Sequence, residues 1–291
     1  MNARLRARLA FWLLAPALLF VAALGAFPVI SQFALSFADF NLKFPEERGL
    51  AGVGNYTRLL SDAVFWSDLW HTTYFTVVSV GLEVTLGLGA ALLLNRVIRG
   101  RTAMNSALIV PWALPTVVAA TMWSLLLNDR VGLVNSVLER VGLMREPIVW
   151  LGPKLAMVSV IAADVWKTTP FVAIILLAGL KSIPQQYYEA AALDGAGKWA
   201  VFRSITLPLL KPFIAVAILF RTMDAFRIFD LVWVLTGGAS GTETLSVYIY
   251  RVLFRYADLG YGSTMTVALF AIIFALSLIL IRFMRLSEDT R

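Results

Sequence analysis

Hydrophobic positions in this chain run together in long blocks, and polar positions collect between the blocks. A helix that crosses a bilayer needs about 20 consecutive, mostly apolar residues, and we find six stretches of that length with few or no charges. The pattern predicts an all-α integral membrane protein in which residues 1–291 form a single transmembrane domain. The predicted spans cover approximately residues 10–37, 70–95, 103–127, 155–180, 207–235 and 260–283.

The composition agrees with a membrane protein and excludes several kinds of chemistry. Hydrophobic residues make up 59% of the 291 and charged residues only 15%, against about 25% charged in a typical soluble domain. Without cysteine the chain has no disulfide and no thiolate nucleophile. A single histidine excludes a multi-histidine metal site, so we expect neither metal ligands nor catalytic residues.

The first apolar block follows Arg4, Arg6 and Arg8, as a secretory signal would. The block is too long for a signal peptide and five more spans follow, so we expect a retained helix. Pro16 and Pro28 predict a break or kink within it.

The distribution of positive charge predicts the orientation. Six spans place both termini on one side, and that side carries 13 Lys and Arg residues in its termini and loops, against eight on the other. Because cytoplasmic loops carry the excess of Lys and Arg, we expect both termini to be cytoplasmic. The net charge of +7 then reflects membrane topology and gives no support to a nucleic-acid partner.

The segment between spans four and five, residues 182–204, is longer than a simple connection requires. Ser182 is a plausible helix N-cap, and Pro184 suits the first turn of a helix. Gly195 can end that helix with a positive φ, and Lys198–Arg203 can form a second short helix. Two interpretations stay open: the segment docks into a groove of another protein, or it lies flat on lipid headgroups.

A resemblance favours docking. Glu189-Ala190-Ala191, then Gly195 after three residues, then Ile205 and Leu207-Pro208, resembles the EAA signature of permease subunits in ATP-binding cassette (ABC) importers. In that family the loop is a coupling helix seated in a cleft of the ATPase subunit. The resemblance implies a type I importer permease fold and a mechanical role in ATPase coupling for Glu189, Ala190, Ala191, Asp194, Gly195 and Ala196.

The resemblance extends over nearly the whole chain. It is most specific to the carbohydrate branch of the family, in particular to the maltose/trehalose-type first permease. One departure is that Ala239-Ser240 follows Gly237-Gly238, where many relatives have Gly-Pro. The segments that carry the likeness are 111–115, 164–171, 178–184, 220–230, 229–238, 248–250 and 260–262.

The family implies a function and partners. The expected protein is the permease subunit of a di- or oligosaccharide importer in the bacterial cytoplasmic (inner) membrane, with a second homologous permease, two ATPase subunits and an extracytoplasmic sugar-binding protein. The chain has no phosphate-binding loop, because Gly197-Lys198 is followed by Trp199 and no upstream glycine has the required spacing. We therefore expect no cofactor in this chain, no catalysis by it alone, and ATP and Mg bound by the partner ATPases.

Span five carries Arg221, Asp224, Arg227 and Asp230 at intervals of three with alternating sign. A charge in mid-membrane costs about 2.5–3.5 kcal/mol on insertion scales, so these groups must pair or face a cavity. Two interpretations stay open: a structural ion-pair ladder, in which Arg221 fits best, and hydrogen bonding to sugar hydroxyls. The candidate substrate-pathway residues are Asp230, Asp224, Arg227, Phe226, Trp233 and Trp123.

Other polar groups in the spans lead to smaller expectations. We expect Asp164 to pair with Lys167, and Glu83 either to pack against the span-five arginines or to contact sugar. Gly81, Gly87 and Gly89 predict close helix packing in span two.

A rival from another class is an ion-coupled secondary transporter that uses the span-five charges as an ion or proton relay. It predicts that uptake depends on a proton gradient, whereas an ABC importer depends on ATP.

Overall fold

The computed structural model describes residues 3–96, 100–144 and 146–288. Its secondary structure is almost entirely helical, with one short antiparallel pair of strands, β1 (Ala38–Asp39) and β2 (Gly49–Leu50). The helices are α1 (Ala3–Val21), α2 (Phe27–Ser36), α3 (Gly54–Ser61), α4 (Ala63–Arg96), α5 (Arg101–Ala113), α6 (Thr116–Leu126), α7 (Leu133–Arg140), α8 (Ala156–Ser182), α9 (Gln185–Leu193), α10 (Lys198–Val201), α11 (Leu207–Ala225), α12 (Asp230–Thr236), α13 (Leu245–Tyr250) and α14 (Leu259–Glu288).

The long apolar helices agree with the predicted fold class. By length and composition, five helices of the described chain can cross a bilayer, and the count is six if the bent pair α5–α6 forms one span. The five are Phe11–Ser36, Ala63–Arg96, Ala156–Ser182, Lys198–Ala225 and Leu259–Arg282. The predicted all-α membrane fold is confirmed, with five or six candidate spans.

The chain divides into two compact units. One contains the described residues up to Ala63 together with Ile249–Ile272. Within it Arg58 forms an ion pair with Asp258 at 3.0 Å and lies over the ring of Tyr261. Gly260 lies so close to the carbonyl oxygen of Ala38 that a Cβ there would collide with it.

The other unit contains Val64–Tyr248 and the described residues from Ile273 onward, and α8 is its centre. This helix packs against α5, α6, α11 and α12. Two glycines permit the close approach of its neighbours: a Cβ on Gly87 of α4 would lie 2.8 Å from Val172 of α8, and one on Gly179 of α8 would meet Phe213 of α11. Among the described residues, nothing lies within 4 Å of such a Cβ on Gly81 or Gly89. Of the three glycines predicted to allow close packing in span two, Gly87 therefore does so within this part of the chain.

Of the two alternatives predicted for span one, a break or a kink, the break is wrong, because the chain is one continuous helix over Phe11–Ser36. The helix continues through Pro16, and a π-helical turn over Ala22–Ala26 joins α1 to α2 ahead of Pro28. A proline lacks the N–H that would bond the carbonyl one turn earlier, and a local π-helical turn changes the bonding register without ending the helix.

Span three, predicted as one helix over 103–127, is instead bent by 95° between α5 and α6. The bend lies at Leu114 and Pro115, which both have extended ψ values of 137°. A proline disfavours helical conformation in the residue before it, so Pro115 accounts for the interruption.

Span five, predicted as one helix over 207–235, is also interrupted. Helix α11 ends at Ala225, Phe229 is non-helical with φ −134°, and α12 begins at Asp230. The interruption contains neither proline nor glycine. Its physical reason is tertiary packing, because α12 turns Leu231, Val232 and Leu235 into the apolar core and packs against α6 and α8.

Candidate functional site

A buried cluster of charged side chains joins three spans. Arg221 of α11 bonds Glu83 of α4 through Nε and through Nη2, the latter at 2.9 Å from Oε1. Its Nη2 also lies 3.1 Å from Oδ2 of Asp164 in α8, and its Nη1 donates to Oδ2 of Asp224. One guanidinium therefore connects three carboxyl groups from three helices.

The cluster is sealed from solvent except at one end. The side chains of Arg221, Glu83 and Asp164 are 3%, 0% and 8% exposed, whereas Asp224 is 67% exposed. The hydroxyl of Thr168 in α8 donates to two oxygens, Oε1 of Glu83 at 2.8 Å and the carbonyl oxygen of Asp164 at 2.6 Å. Buried charges require such pairing, because an isolated one is strongly disfavoured in an apolar medium.

These contacts correct two expectations. Asp164 pairs with Arg221 and not with Lys167. The charge ladder was one of two interpretations of span five, and among the described residues it is formed only at its first step, Arg221 to Asp224, because α11 ends at Ala225. Arg227 lies past that end, and its Nε donates to the carbonyl oxygen of Met223. For Glu83, the alternative of packing against a span-five arginine is the one observed.

Two cavities adjoin the exposed end of the cluster and share Thr168, Arg221, Asp224 and Arg227 in their walls. The first, which we call the Asp230 cavity, has a volume of about 130 Å³ and is also lined by Thr116, Asp164, Lys167, Ala225, Ile228, Phe229, Asp230 and Leu231. The second, the Trp112 cavity, has a volume of about 350 Å³ and is also lined by Trp112, Phe171, Phe220 and Met223.

Both helix interruptions contribute to the Asp230 cavity. Thr116 follows the bend at Pro115, and Ile228 and Phe229 belong to the non-helical segment between α11 and α12. Non-helical backbone at membrane depth is tolerated only where it is buried in protein or lines a cavity. Discontinuous helices of this kind form binding sites in membrane transporters.

The structure brings only some of the predicted pathway residues to these cavities. Asp224, Arg227 and Asp230 line them. Phe226 is 3% exposed, and Trp123 and Trp233 pack against the apolar core, so none of the three is in either lining. The aromatic residues at the cavities are instead Phe229, Phe220, Trp112 and Phe171. The rings of Trp112 and Phe171 stack with centroids 5.8 Å apart.

The segment between α8 and α11 folds as two short helices around a tight turn. Helix α9 carries Glu189, Ala190 and Ala191, and Asp194 ends it. Gly195 has φ +71°, and the amide of Ala196 donates to the carbonyl of Ala191 at 2.9 Å. The left-handed conformation at Gly195 closes the helix end in the way that glycine favours.

The beginning of α9 differs from expectation. Ser182 does not cap it; its hydroxyl donates to the carbonyl of Gly179 at the end of α8, and Pro184 occupies the N-cap position. The predicted second helix, Lys198–Arg203, continues through a π-helical turn at Phe202–Thr206 directly into α11.

The two-helix segment presents apolar side chains to solvent. Leu193 is 91% exposed and Trp199 is 70% exposed. Trp199 stacks on Phe202 with ring centroids 5.5 Å apart. Of the EAA residues, Ala191 is buried, while Glu189 and Ala190 are exposed.

Comparison with known proteins identifies the family. Residues 83–290 match the family model described as binding-protein-dependent transport system inner membrane component. The chain belongs to this family. It is accordingly a multi-pass inner membrane component of an ABC importer, and it has the permease fold.

Individual relatives resemble this inner membrane component over almost its full length. It is 40% identical to the trehalose/maltose transport system permease protein MalF of Thermococcus litoralis, over 97% of this chain and 96% of the relative. It is 38% identical to the sulfoquinovosyl glycerol transport system permease protein SmoG of Agrobacterium fabrum, over 96% and 91%. Its fold matches a chain in the crystal structure of a bacterial ABC transporter involved in the import of the acidic polysaccharide alginate, with a TM-score of 0.83, 23% identity and 96% of each chain covered.

Sequence reasoning about this inner membrane component missed several cavity residues. Thr116 and Trp112 lie at the bend in span three, and the Pro111–Pro115 pair was the signal that could have directed attention to them. Thr168 and Phe171 sit in an ordinary apolar helix pattern. Nothing in the sequence alone distinguishes them from neighbouring positions.

Proposed function

We propose that this chain is the permease subunit of an ATP-driven sugar importer and forms half of its translocation pathway. The main support for the proposal is that the chain runs without interruption by another domain from the EAA segment into the helices that line the cavities. The EAA segment, residues 182–204, is joined at its two ends to α8 and α11, and these helices carry four of the charged groups in the cavity walls: Asp164, Lys167, Arg221 and Asp224. A displacement of that segment would therefore act on the helices that shape the polar pathway.

The walls of the cavities support a sugar as the substrate. Asp224 and Asp230 offer carboxylate acceptors, and Arg227 offers guanidinium donors, which suits the many hydroxyls of a saccharide. The aromatic faces of Trp112 and Phe229 suit the C–H faces of sugar rings. The relatives named for trehalose and maltose favour a neutral di- or oligosaccharide.

The exposed EAA segment supports coupling to an ATPase. Leu193 and Trp199 give it an apolar surface that a partner can cover, and Glu189 and Asp194 can pair with basic groups of a cleft. Small residues at Ala190 and Ala196 permit close approach. In this proposal the segment lies in the cytoplasm, as do both termini.

The complete importer would contain a second homologous permease, two ATPase subunits that bind ATP and Mg, and an extracytoplasmic sugar-binding protein. This chain would hydrolyse nothing by itself. Closure of the ATPases on ATP would draw the two EAA segments together and open the pathway outward, and hydrolysis would reset it inward.

The turn at Gly195 gives the direct test. A valine there would be forced into φ +71°, which costs about 1–2 kcal/mol for a residue with a Cβ, and would distort the segment without touching the spans. We expect Gly195→Val to abolish ATP-dependent uptake by the assembled importer while the protein still inserts into the membrane.

Gly197→Val is the matched control, because Gly197 has an ordinary φ of −69° and open space around a Cβ. It should keep most of the uptake. Normal uptake by Gly195→Val, measured with equal amounts of inserted protein, would contradict the proposal.

A further inference from the structure

Asp224 is the group at which the buried cluster meets the two cavities. We propose that Arg221 is a positioning residue: held by Glu83 and Asp164, its guanidinium fixes the Asp224 carboxylate so that the second carboxylate oxygen accepts a hydrogen bond from a hydroxyl of the transported sugar. This inference rests on the proposed function and assigns to Glu83 and Arg221 a part in sugar recognition.

The geometry of the guanidinium carries the first step. Nε and Nη2 form a two-point fork on Glu83, and Nη2 also contacts Asp164. A planar group held at two points cannot rotate about its long axis. The direction of the remaining nitrogen, Nη1, is thereby set, and Nη1 is the atom that donates to Asp224.

The second step concerns which carboxylate oxygens are occupied. Asp224 accepts the Arg221 bond on Oδ2. Within the described residues its Oδ1 accepts no hydrogen bond, although the side chain lines both cavities. A carboxylate fixed through one oxygen is a preorganised acceptor at the other, which reduces the entropy lost when a hydroxyl binds.

The third step is that the support comes from other helices. Arg221 and Asp224 are only three residues apart at the end of α11, and an exposed pair at this spacing holds its geometry weakly. Glu83 from α4 and Asp164 from α8 provide the fixed frame, and Thr168 bonds Glu83 in turn. Loss of the Glu83 charge would release the fork and let Asp224 move.

The competing explanation is that the cluster only stabilises helix packing. The two explanations differ in whether the effect of Glu83 on transport passes through Asp224. If it does, removing Glu83 has no further effect once the Asp224 carboxylate is gone. If the cluster only stabilises packing, the reductions in transport caused by removing Glu83 and by removing the Asp224 carboxylate are independent, and the double variant shows their product.

The experiment uses the complete importer in proteoliposomes, with labelled trehalose and labelled maltose as probes. The quantity measured is the number of sugar molecules imported per ATP hydrolysed, at saturating sugar-loaded binding protein. The half-saturating sugar concentration is not used, because the binding protein contributes to it. Variants Glu83→Gln, Asp224→Asn and their combination form a double-mutant cycle.

We expect Asp224→Asn to lower the sugar carried per ATP about tenfold, as for loss of a charged hydrogen bond, and Glu83→Gln to lower it several-fold. The double variant should be no worse than Asp224→Asn alone. Two results would overturn the inference. One is a double variant whose loss of sugar carried per ATP equals the product of the two single losses, and the other is an Asp224→Asn variant that carries as much sugar per ATP as the wild type.

Two less disruptive substitutions test the inference if Glu83→Gln does not fold. Thr168→Val removes the hydroxyl that bonds both Glu83 and the carbonyl oxygen of Asp164 in its own helix. Thr85→Val is its matched control, since Thr85 is exposed and its hydroxyl bonds the carbonyl oxygen of Gly81, so this variant also loses a bond within a helix but no contact with the cluster. We expect Thr168→Val to lower the ratio about twofold in the wild-type background and not at all in the Asp224→Asn background, and Thr85→Val to leave it unchanged. Equal losses in both backgrounds would count against positioning.

The outcomes separate this inference from the proposed function. A wild-type importer that moves neither trehalose nor maltose on ATP contradicts the trehalose- or maltose-type substrate of the proposed function, on which this inference rests. A working wild type with a multiplicative cycle refutes only the positioning role of Arg221 and Glu83.

Discussion

At the scale of single residues, the cluster around Arg221 shows what sequence can and cannot reveal. The spacing of charges in span five favoured Arg221 as the structural member of an ion-pair ladder, and pairing with a span-five arginine was one of two alternatives for Glu83; the structure shows that pairing. The spacing could not indicate that Asp164 pairs with Arg221 and not with Lys167. This pairing depends on how closely α8 and α11 approach each other, and residue spacing along one helix carries no information about that distance.

The same cluster makes a prediction about stability. Arg221→Gln leaves three carboxyl groups without their common cation in a buried place, and breaking a buried ion pair from one side costs about 3–5 kcal/mol. We expect the free energy of unfolding in mixed detergent micelles to fall by that amount.

Arg227→Gln is the control for this measurement. Arg227 is exposed, and its side chain bonds a carbonyl of the adjacent helix turn, so its loss should change the free energy of unfolding by about 0.5 kcal/mol or less. Equal effects of the two substitutions would mean that the buried cluster does not contribute to stability as described.

At the scale of elements, the two helix interruptions were not equally accessible to prediction. Pro115 and the residue before it are a known cause of interruption, so the bend in span three has a local signal. The interruption after Ala225 has none, because residues 226–229 contain neither proline nor glycine. It arises from the burial of Leu231, Val232 and Leu235 by neighbouring helices, and helix periodicity along one segment does not report tertiary packing.

The contact between α4 and α8 predicts a difference between two glycines of one helix. A Cβ on Gly87 would lie 2.8 Å from Val172 and 3.2 Å from the amide nitrogen of Ala173, whereas one on Gly89 meets nothing within 4 Å. Gly87→Ala should therefore destabilise the protein by about 1–3 kcal/mol through overpacking.

Gly89→Ala, measured in the same unfolding assay, should be neutral or slightly stabilising, because alanine is the better helix former by about 0.8–1 kcal/mol. If Gly87→Ala proved as harmless as its control, the close packing of α4 on α8 would be contradicted.

At the scale of the whole molecule, the fold class and the EAA segment were accessible from sequence because both depend on local pattern. Long apolar runs define the spans, and Gly195 marks its own turn through the φ that it must adopt. The cavities were accessible only in part, because they are formed where several helices meet. Asp224 and Asp230 were expected there, but Trp112 and Phe171 were not.

The orientation of the molecule in the membrane is a prediction that single thiols can test. The chain has no cysteine, so Leu193→Cys and Val131→Cys each introduce one reactive group, at positions that are 91% and 78% exposed. In intact cells that produce this chain without the ATPase subunits, which would cover Leu193, a membrane-impermeant maleimide should label Val131→Cys and should reach Leu193→Cys only after permeabilisation. The reverse labelling would place the EAA segment outside the cell and contradict its role in coupling.

The most direct test of an ATP-driven importer is uptake of labelled trehalose and maltose by the full assembly in proteoliposomes, with ATP and a proton gradient controlled separately. We predict uptake that requires ATP inside the ATPase-bearing compartment and the sugar-loaded binding protein on the opposite side, and that continues when an uncoupler collapses the gradient. Uptake that persists without ATP and stops with the uncoupler would contradict this function and identify an ion-coupled secondary transporter instead.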